Sequence, residues 1–355
     1  MFSICMIAYL YGDVAIYCTA VAKSLRDVSC TFSPPNNTPS ITSSPCWATT
    51  ESLSKSDMYK IFVALFIAVL GPFAYFNVTK TKYLQIVTSV MRWTAFITMI
   101  TLAVMRIADG SVPHGAPPVV DISTTPMVFG VSVYAFMCHH SIPSLVTPVK
   151  RSSRVPAVLG ADYVLIACFY LVLSYTGIFA FPSVPDLYTL AFKPEDSRGN
   201  LPLQIVGYFL ALFPVFTLST NFPIIATTLG NNLETIITET FPSANNISPK
   251  LKRVLFPSLA VLPPALVALA TENLSVLVSV TGAYAGAGIQ YFIPCSLVFL
   301  ARKKLNHLRK EFNLELRNPL ESYFRHLGFI VMIVVWSGGA VGLVTANFVL
   351  KAVKQ

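Results

Sequence analysis

The segment Phe129 to Pro148 reads FGVSVYAFMCHHSIPSLVTP. It is apolar enough to enter a bilayer, yet it carries two adjacent histidines and two prolines. Lipid offers the backbone no hydrogen-bond partner, so an interrupted helix persists at membrane depth only where its freed amides and carbonyls face protein, water or a ligand. The pattern predicts a broken membrane helix, with the break near Phe136 to His140 and not at Pro148.

The rest of the chain supplies the membrane. Hydrophobic residues fill 54% of its 355 positions, charged residues only 12%, and the mean hydropathy is +0.64. A soluble domain carries about twice that charge. Crossing about 30 Å of hydrocarbon takes roughly 20 apolar residues at about 1.5 Å each. Nine stretches meet that need, approximately Phe2 to Val21, Met58 to Val78, Leu84 to Met105, Pro126 to Val149, Val158 to Phe181, Pro202 to Leu229, Val254 to Ala270, Leu274 to Leu300 and His326 to Leu350. Most connections between them are short, which predicts a single all-α integral membrane domain over 1–355. Ala20-Val21-Ala22 looks like a signal-peptide cleavage site, but the stretch before it lacks a basic start, is long for such a peptide and holds Asp13, so it reads as a span.

Lysine and arginine set the orientation, because cytoplasmic loops keep the positive excess. Of the 25 Lys and Arg, 15 fall on one side of the predicted spans, 9 on the other, and Arg92 lies inside a span. The richer side includes the basic loop 301–325 and reads as cytosolic; the connection 23–57 reads as lumenal or extracellular. The net charge of +9 is therefore loop asymmetry and no argument for nucleic acid. Basic clusters such as Arg302-Lys303-Lys304 also suit anionic lipid headgroups.

Cysteine chemistry points to the same orientation. Cys30 and Cys46 share the connection 23–57 with the sequon Asn36-Asn37-Thr38. In an oxidising lumen the two thiols close a loop worth about 3 kcal/mol, and Asn36 is a glycan acceptor. Cys5, Cys18, Cys138, Cys168 and Cys295 lie in spans and read as buried thiols. The sequons at Asn77 and Asn246 fall on the cytosolic side and stay unmodified, and that at Asn273 lies too close to its helices.

The strings YLYGDVAIY, GPFAYFNVTKTKYLQIVTSVMRW, VSVYAFMCHHSIPSLVTPV, FPVFTLSTNFPIIATTL and VTGAYAGAGIQYFIP resemble the transmembrane protein 104 family, a branch of the amino acid and auxin permease group within the amino acid-polyamine-organocation superfamily. The resemblance runs from Phe2 to the last span. It implies an inverted-repeat, LeuT-like permease bundle of eleven helices, of which about nine, the third to the eleventh, are present and the first two lacking. It implies a secondary transporter for amino acids or similar small organic solutes, coupled to sodium or protons, in the plasma membrane or an endomembrane such as the lysosomal one. A non-transporting sensor or scaffold that keeps the permease architecture is the alternative from another class.

In permeases of this plan the first and sixth helices unwind at the midplane and hold the substrate. The sixth-helix equivalent here is Pro126 to Val149, where Cys138 and His139 match a Cys-His pair at the unwound point. Tyr134, Phe136, Met137 and His140 surround it, and Pro143 removes a backbone donor. Exposed carbonyls and amides there suit the ammonium and carboxylate of an amino acid. The competing reading is a packed, kinked helix whose histidines bond neighbouring helices.

Pro202 to Leu229 carries Thr217, Ser219 and Thr220 beside Pro214 and Pro223. Hydroxyl oxygens are hard ligands suited to sodium, and the resemblance places such a hydroxyl on this helix; bonding back to the same helix is the alternative. Asp13 lies midspan, where its short side chain reaches neither interface, and an ionised carboxylate at the bilayer centre costs about 2.5 to 3.5 kcal/mol. It reads as protonated, paired or facing water, with proton coupling as its candidate role. Arg92 snorkels toward headgroups and reads as an anchor.

Gly282 and Gly286 have GxxxG spacing and let helices approach closely, while Tyr284 and Gln290 are candidates to line a pathway. There is no P-loop, H-E-x-x-H or G-x-S-x-G, so no enzyme, cofactor or metal centre is expected.

Overall fold

The computed structural model describes residues 2–30, 44–47, 50–76, 82–110, 113–118, 120–139, 141–142, 146–147, 149, 154–192, 200–312 and 324–354. Among them, eight helical segments are long and apolar enough to cross a membrane. They are α1 (Phe2–Ser29), α2 (Lys55–Leu70, prolonged by a 3-10 turn over Gly71–Tyr75), α3 (Lys82–Asp109), α5 (Val155–Ala180), α6 (Leu201–Thr240), α7 (Pro249–Ala270), the run from α8 (Leu274–Thr281) into α9 (Ile293–Phe312), and α10 (Leu327–Lys354). In the ninth apolar stretch the structure describes α4 (Thr125–Ala135), whose 11 residues are by themselves too few to cross. The chain is an all-α, multi-pass membrane protein.

Several helices outrun their apolar stretches. α1 continues to Ser29 and α2 starts at Lys55, so the connection expected over 23–57 is shorter at both ends. Ser54 fixes the start of α2 with a capping box: its Oγ accepts from Asp57 N–H at 3.1 Å, and the Asp57 carboxylate accepts from Ser54 N–H at 3.3 Å. α9 runs to Phe312, so the first part of the basic stretch 301–325 is helix and not loop. At 40 residues α6 is about 60 Å long, twice the hydrocarbon thickness, and ends in a polar turn rich in Thr and Glu. Before α2, a short antiparallel ribbon pairs β1 (Pro45–Trp47) with β2 (Thr50–Ser54), and Cys46 in β1 is disulfide-bonded to Cys30, Cα to Cα 4.6 Å. Asn36 lies outside the described residues.

The chain divides into two compact units. One comprises Met1–Tyr9, Val120–Ala167 and Val278–Gln355; the other comprises Leu10–Val119 and Cys168–Leu277.

The second unit is pinned by polar side chains at one end. Arg26 is only 7% exposed. Its guanidinium donates to Glu272 at 2.8 Å and to Asp27 at 2.7 Å, while Ser56 Oγ donates to Glu272 at 3.1 Å. Tyr59 is fully buried and donates to the Ala268 carbonyl at 2.7 Å, tying α2 to α7. Phe66 meets Phe222 edge-on at 4.9 Å, and Ala95 and Met99 of α3 pack on Leu210 and Phe213 of α6. Asn273, in the fourth sequon, caps α8 by accepting from Val276 N–H at 3.0 Å. Cys168, expected to be buried, is exposed on α5, whose most apolar window has no buried residue. A thiol is apolar enough to face lipid.

Candidate functional site

The site predicted in the interrupted helix lies in the first unit. Pro126 opens α4 near its first turn, where a missing N–H costs nothing. The helix stops at Phe136, with φ −99° and ψ 11°. Phe136 N–H still reaches Ser132 four residues back, but Met137 N–H turns to Tyr134, only three back. Met137 and Cys138 are non-helical, and the four-residue spacing returns with Ile142 N–H on the Cys138 carbonyl at 3.1 Å. The break thus falls within the predicted span of residues. His140 and Pro143 lie outside the described residues.

Three elements hold the break. Phe136 stacks on Tyr163 of α5, rings 6.1 Å apart and 16° from parallel, and Cys138 Sγ lies 2.8 Å from the Tyr163 hydroxyl. Tyr134 packs near the Tyr9 ring at 6.0 Å. On the remaining side is a π-helical stretch, Gly282–Gly286 and Gly288–Phe292. There Ala287 N–H reaches Gly282 O and Ile293 N–H reaches Gly288 O, each five residues back.

Glycine makes this approach possible. A Cβ on Gly282 would overlap the Gly130 carbonyl, and one on Gly130 would overlap the Ser279 carbonyl. A Cβ on Gly286 would meet Val133 Cγ1 at 3.0 Å and Met137 Cε at 3.1 Å. The GxxxG spacing therefore serves backbone-to-backbone packing of α4 on the π stretch. π segments recur at functional sites because the inserted residue frees backbone groups from the regular ladder.

Two polar atoms at these elements are covered and lack a hydrogen-bond partner among the described residues: His139 Nδ1 and Gln290 Oε1. Buried polar atoms are nearly always paired, so such orphans mark places where a bound group would complete the bonding. The C-terminal end of α4 carries the negative end of the helix dipole, which favours an ammonium. Tyr284, the other pathway candidate, pairs its hydroxyl with Thr345 of α10 at 2.9 Å.

The ion-coupling candidates belong to the second unit. Thr217 is buried and donates to the Phe213 carbonyl at 2.9 Å, and Thr220 donates to the Thr217 carbonyl at 2.9 Å. Both hydroxyl protons thus return to α6, leaving oxygen lone pairs as the only ligating capacity. Ser219 is partly exposed on the same helix. Asp13 is 5% exposed and engaged by its surroundings. Arg92 is exposed on α3, with its charge in range of Tyr17 and Tyr170.

Tyr163 and the π stretch escaped the sequence reading. A tyrosine in an apolar span gives no sign of its partner, and π geometry has no sequence period of its own.

Broken helices at membrane depth recur in secondary transporters, and it is comparison with known proteins that gives this multi-pass chain its transporter-like class. The family model described as transmembrane amino acid transporter protein matches residues 1–339. Transmembrane protein 104 of Homo sapiens is 44% identical over 365 residues, covering 100% of this chain and 70% of that protein. The Mus musculus protein of that name is 44% identical over 362 residues, covering 99% of this chain and 70% of its own length. The Drosophila melanogaster homolog is 42% identical over 362 residues, 98% of this chain and 70% of its own. No solved structure matches the chain. The chain belongs to the transmembrane amino acid transporter family, in its transmembrane protein 104 branch.

Proposed function

We propose that this protein is a secondary transporter of amino acids or similar small organic solutes, coupled to sodium or protons. The observation that carries the reading is the break at Phe136 to Cys138, with the covered, unpartnered Nδ1 of His139 beside it. An α-amino acid presents an ammonium, a carboxylate and one variable side chain. The end of α4 suits the ammonium through its dipole, freed amides of the break suit the carboxylate, and Tyr134, Phe136 and Met137 suit an apolar side chain. None of these groups breaks a bond, so binding and release are the chemistry this site supports. Asp13 is the candidate for proton coupling, and Thr217, Ser219 and Thr220 are the candidates for sodium.

The test is uptake by the full chain reconstituted in liposomes, across an amino acid panel, with imposed sodium or proton gradients. Gradient-dependent accumulation that falls in His139→Ala supports the reading. Saturable binding without accumulation under either gradient would instead assign the protein to the sensor class.

A further inference from the structure

A cavity of about 810 Å³ opens in the second unit, where the end of the 3-10 turn after α2, the polar end of α6 and the start of α7 converge. Its walls carry both signs of charge, Glu234 from α6 and Lys252 and Arg253 from α7, together with Asn231, Thr227 and Phe76. By sequence these positions sit where three apolar stretches end or begin, near Val78, Leu229 and Val254. That is the level of the lipid headgroups.

We propose that this cavity holds the headgroup of an amine-bearing phospholipid, its phosphate on Lys252 and Arg253 and its ammonium on Glu234. Three observations converge. Lys252 Nζ and the Glu234 carboxylate form only a loose ion pair at 4.0 Å, beyond hydrogen-bond length, so each keeps bonding capacity for a further group of opposite charge at the cavity. Thr227 Oγ1 is covered and has no hydrogen-bond partner among the described residues, so the wall holds an unused polar atom. Phe76 at the cavity and Leu251 and Val254 on α7 are 60%, 53% and 55% exposed, an apolar surface beside the charges along which acyl chains lie. A purely anionic headgroup would use the two cations but meet Glu234 as a like charge. A quaternary ammonium would meet Glu234 without a proton to donate. A primary ammonium next to a phosphate satisfies both signs.

Native mass spectrometry of the delipidated full chain tests this, with short-chain phosphatidylethanolamine and phosphatidylcholine of matched acyl chains and soluble phosphoethanolamine as competitor. The ethanolamine lipid is expected to be retained up to roughly fivefold better than the choline lipid, the scale of an exposed ion pair. Glu234→Gln is expected to remove that preference while choline-lipid retention stays unchanged, and Arg253→Gln to lower retention of both. Glu234 is 43% exposed, so its variant leaves the packing intact, and the parent chain's own preference is a readout that needs no variant. Equal retention of the two lipids by the parent chain, or variants that change nothing, overturns the proposal. Displacement by phosphoethanolamine at concentrations matching the lipid would assign the cavity to a free phosphorylated amine.

Discussion

Cys138 Sγ lies 2.8 Å from the hydroxyl of Tyr163, at the point where α4 has ended and the backbone has left the helix. The same tyrosine ring stacks on Phe136, so one side chain of α5 supports both sides of the break. Tyr163→Phe keeps the stack and deletes the hydroxyl, which isolates the polar contact. Loss of one such contact is worth about 0.5 to 1.5 kcal/mol, so solute affinity is expected to fall by roughly two- to tenfold. Maleimide labelling of Cys138, mapped by mass spectrometry, is expected to quicken in the same variant; an unchanged rate would mean the hydroxyl does not shield the sulfur.

Gly282→Ala sets a methyl against the Gly130 carbonyl, and no rotamer change relieves a clash with backbone. The expected cost is about 1 to 3 kcal/mol, seen as a lower melting temperature in detergent. Gly286→Ala comes closest to the side chains of Val133 and Met137, which can yield, with the Thr281 carbonyl at an ordinary 3.4 Å, so its effect is expected to be smaller. Gly338→Ala, with nothing near its added methyl, is the neutral control. Equal melting of all three would contradict the close packing of α4 on the π stretch.

Arg26→Gln removes the buried cation of a pair and leaves Glu272 only the Ser56 hydroxyl from the network described above. Breaking such a pair costs about 3 to 5 kcal/mol when one charge stays behind uncompensated. The double variant Arg26→Leu with Glu272→Leu is expected to recover part of that loss. A thermal-melt cycle across Arg26→Leu, Glu272→Leu and the double variant measures the coupling, and simple additivity would show the two charges to be independent.

Topology has its own test. We propose from the charge split and the disulfide-bearing connection that Asn36 faces the lumen or the cell exterior, so a glycan is expected there and none at Asn77 or Asn246. The gel shift is expected to vanish in Asn36→Gln alone. A glycan mapped to Asn77 would invert the orientation.

Asp13→Asn keeps shape and removes the titratable carboxyl from a buried midspan position. Any proton dependence of uptake is expected to disappear while insertion is unaffected or eased. Arg92→Lys, at an exposed site, is expected to behave as the parent does. Unchanged pH dependence in the first variant together with lost uptake in the second would reverse the two roles.

The sequence by itself determined the membrane class, the approximate spans and the place of the break, because hydrocarbon thickness and backbone desolvation act on every stretch of chain locally. The polar run FMCHHS inside an apolar stretch is legible for that reason. Helix ends were less so: α1 and α6 continue past their apolar residues, since a helix pairs its own backbone and does not need lipid to continue. Only the tertiary structure decided what meets what. Arg26 finds Glu272 across 246 residues, Tyr163 reaches Cys138 from another helix, and Gly282 lies against the Gly130 carbonyl too closely for any Cβ. These are pairings at contact distance, set by the simultaneous packing of several helices, and no local pattern of residue types encodes them.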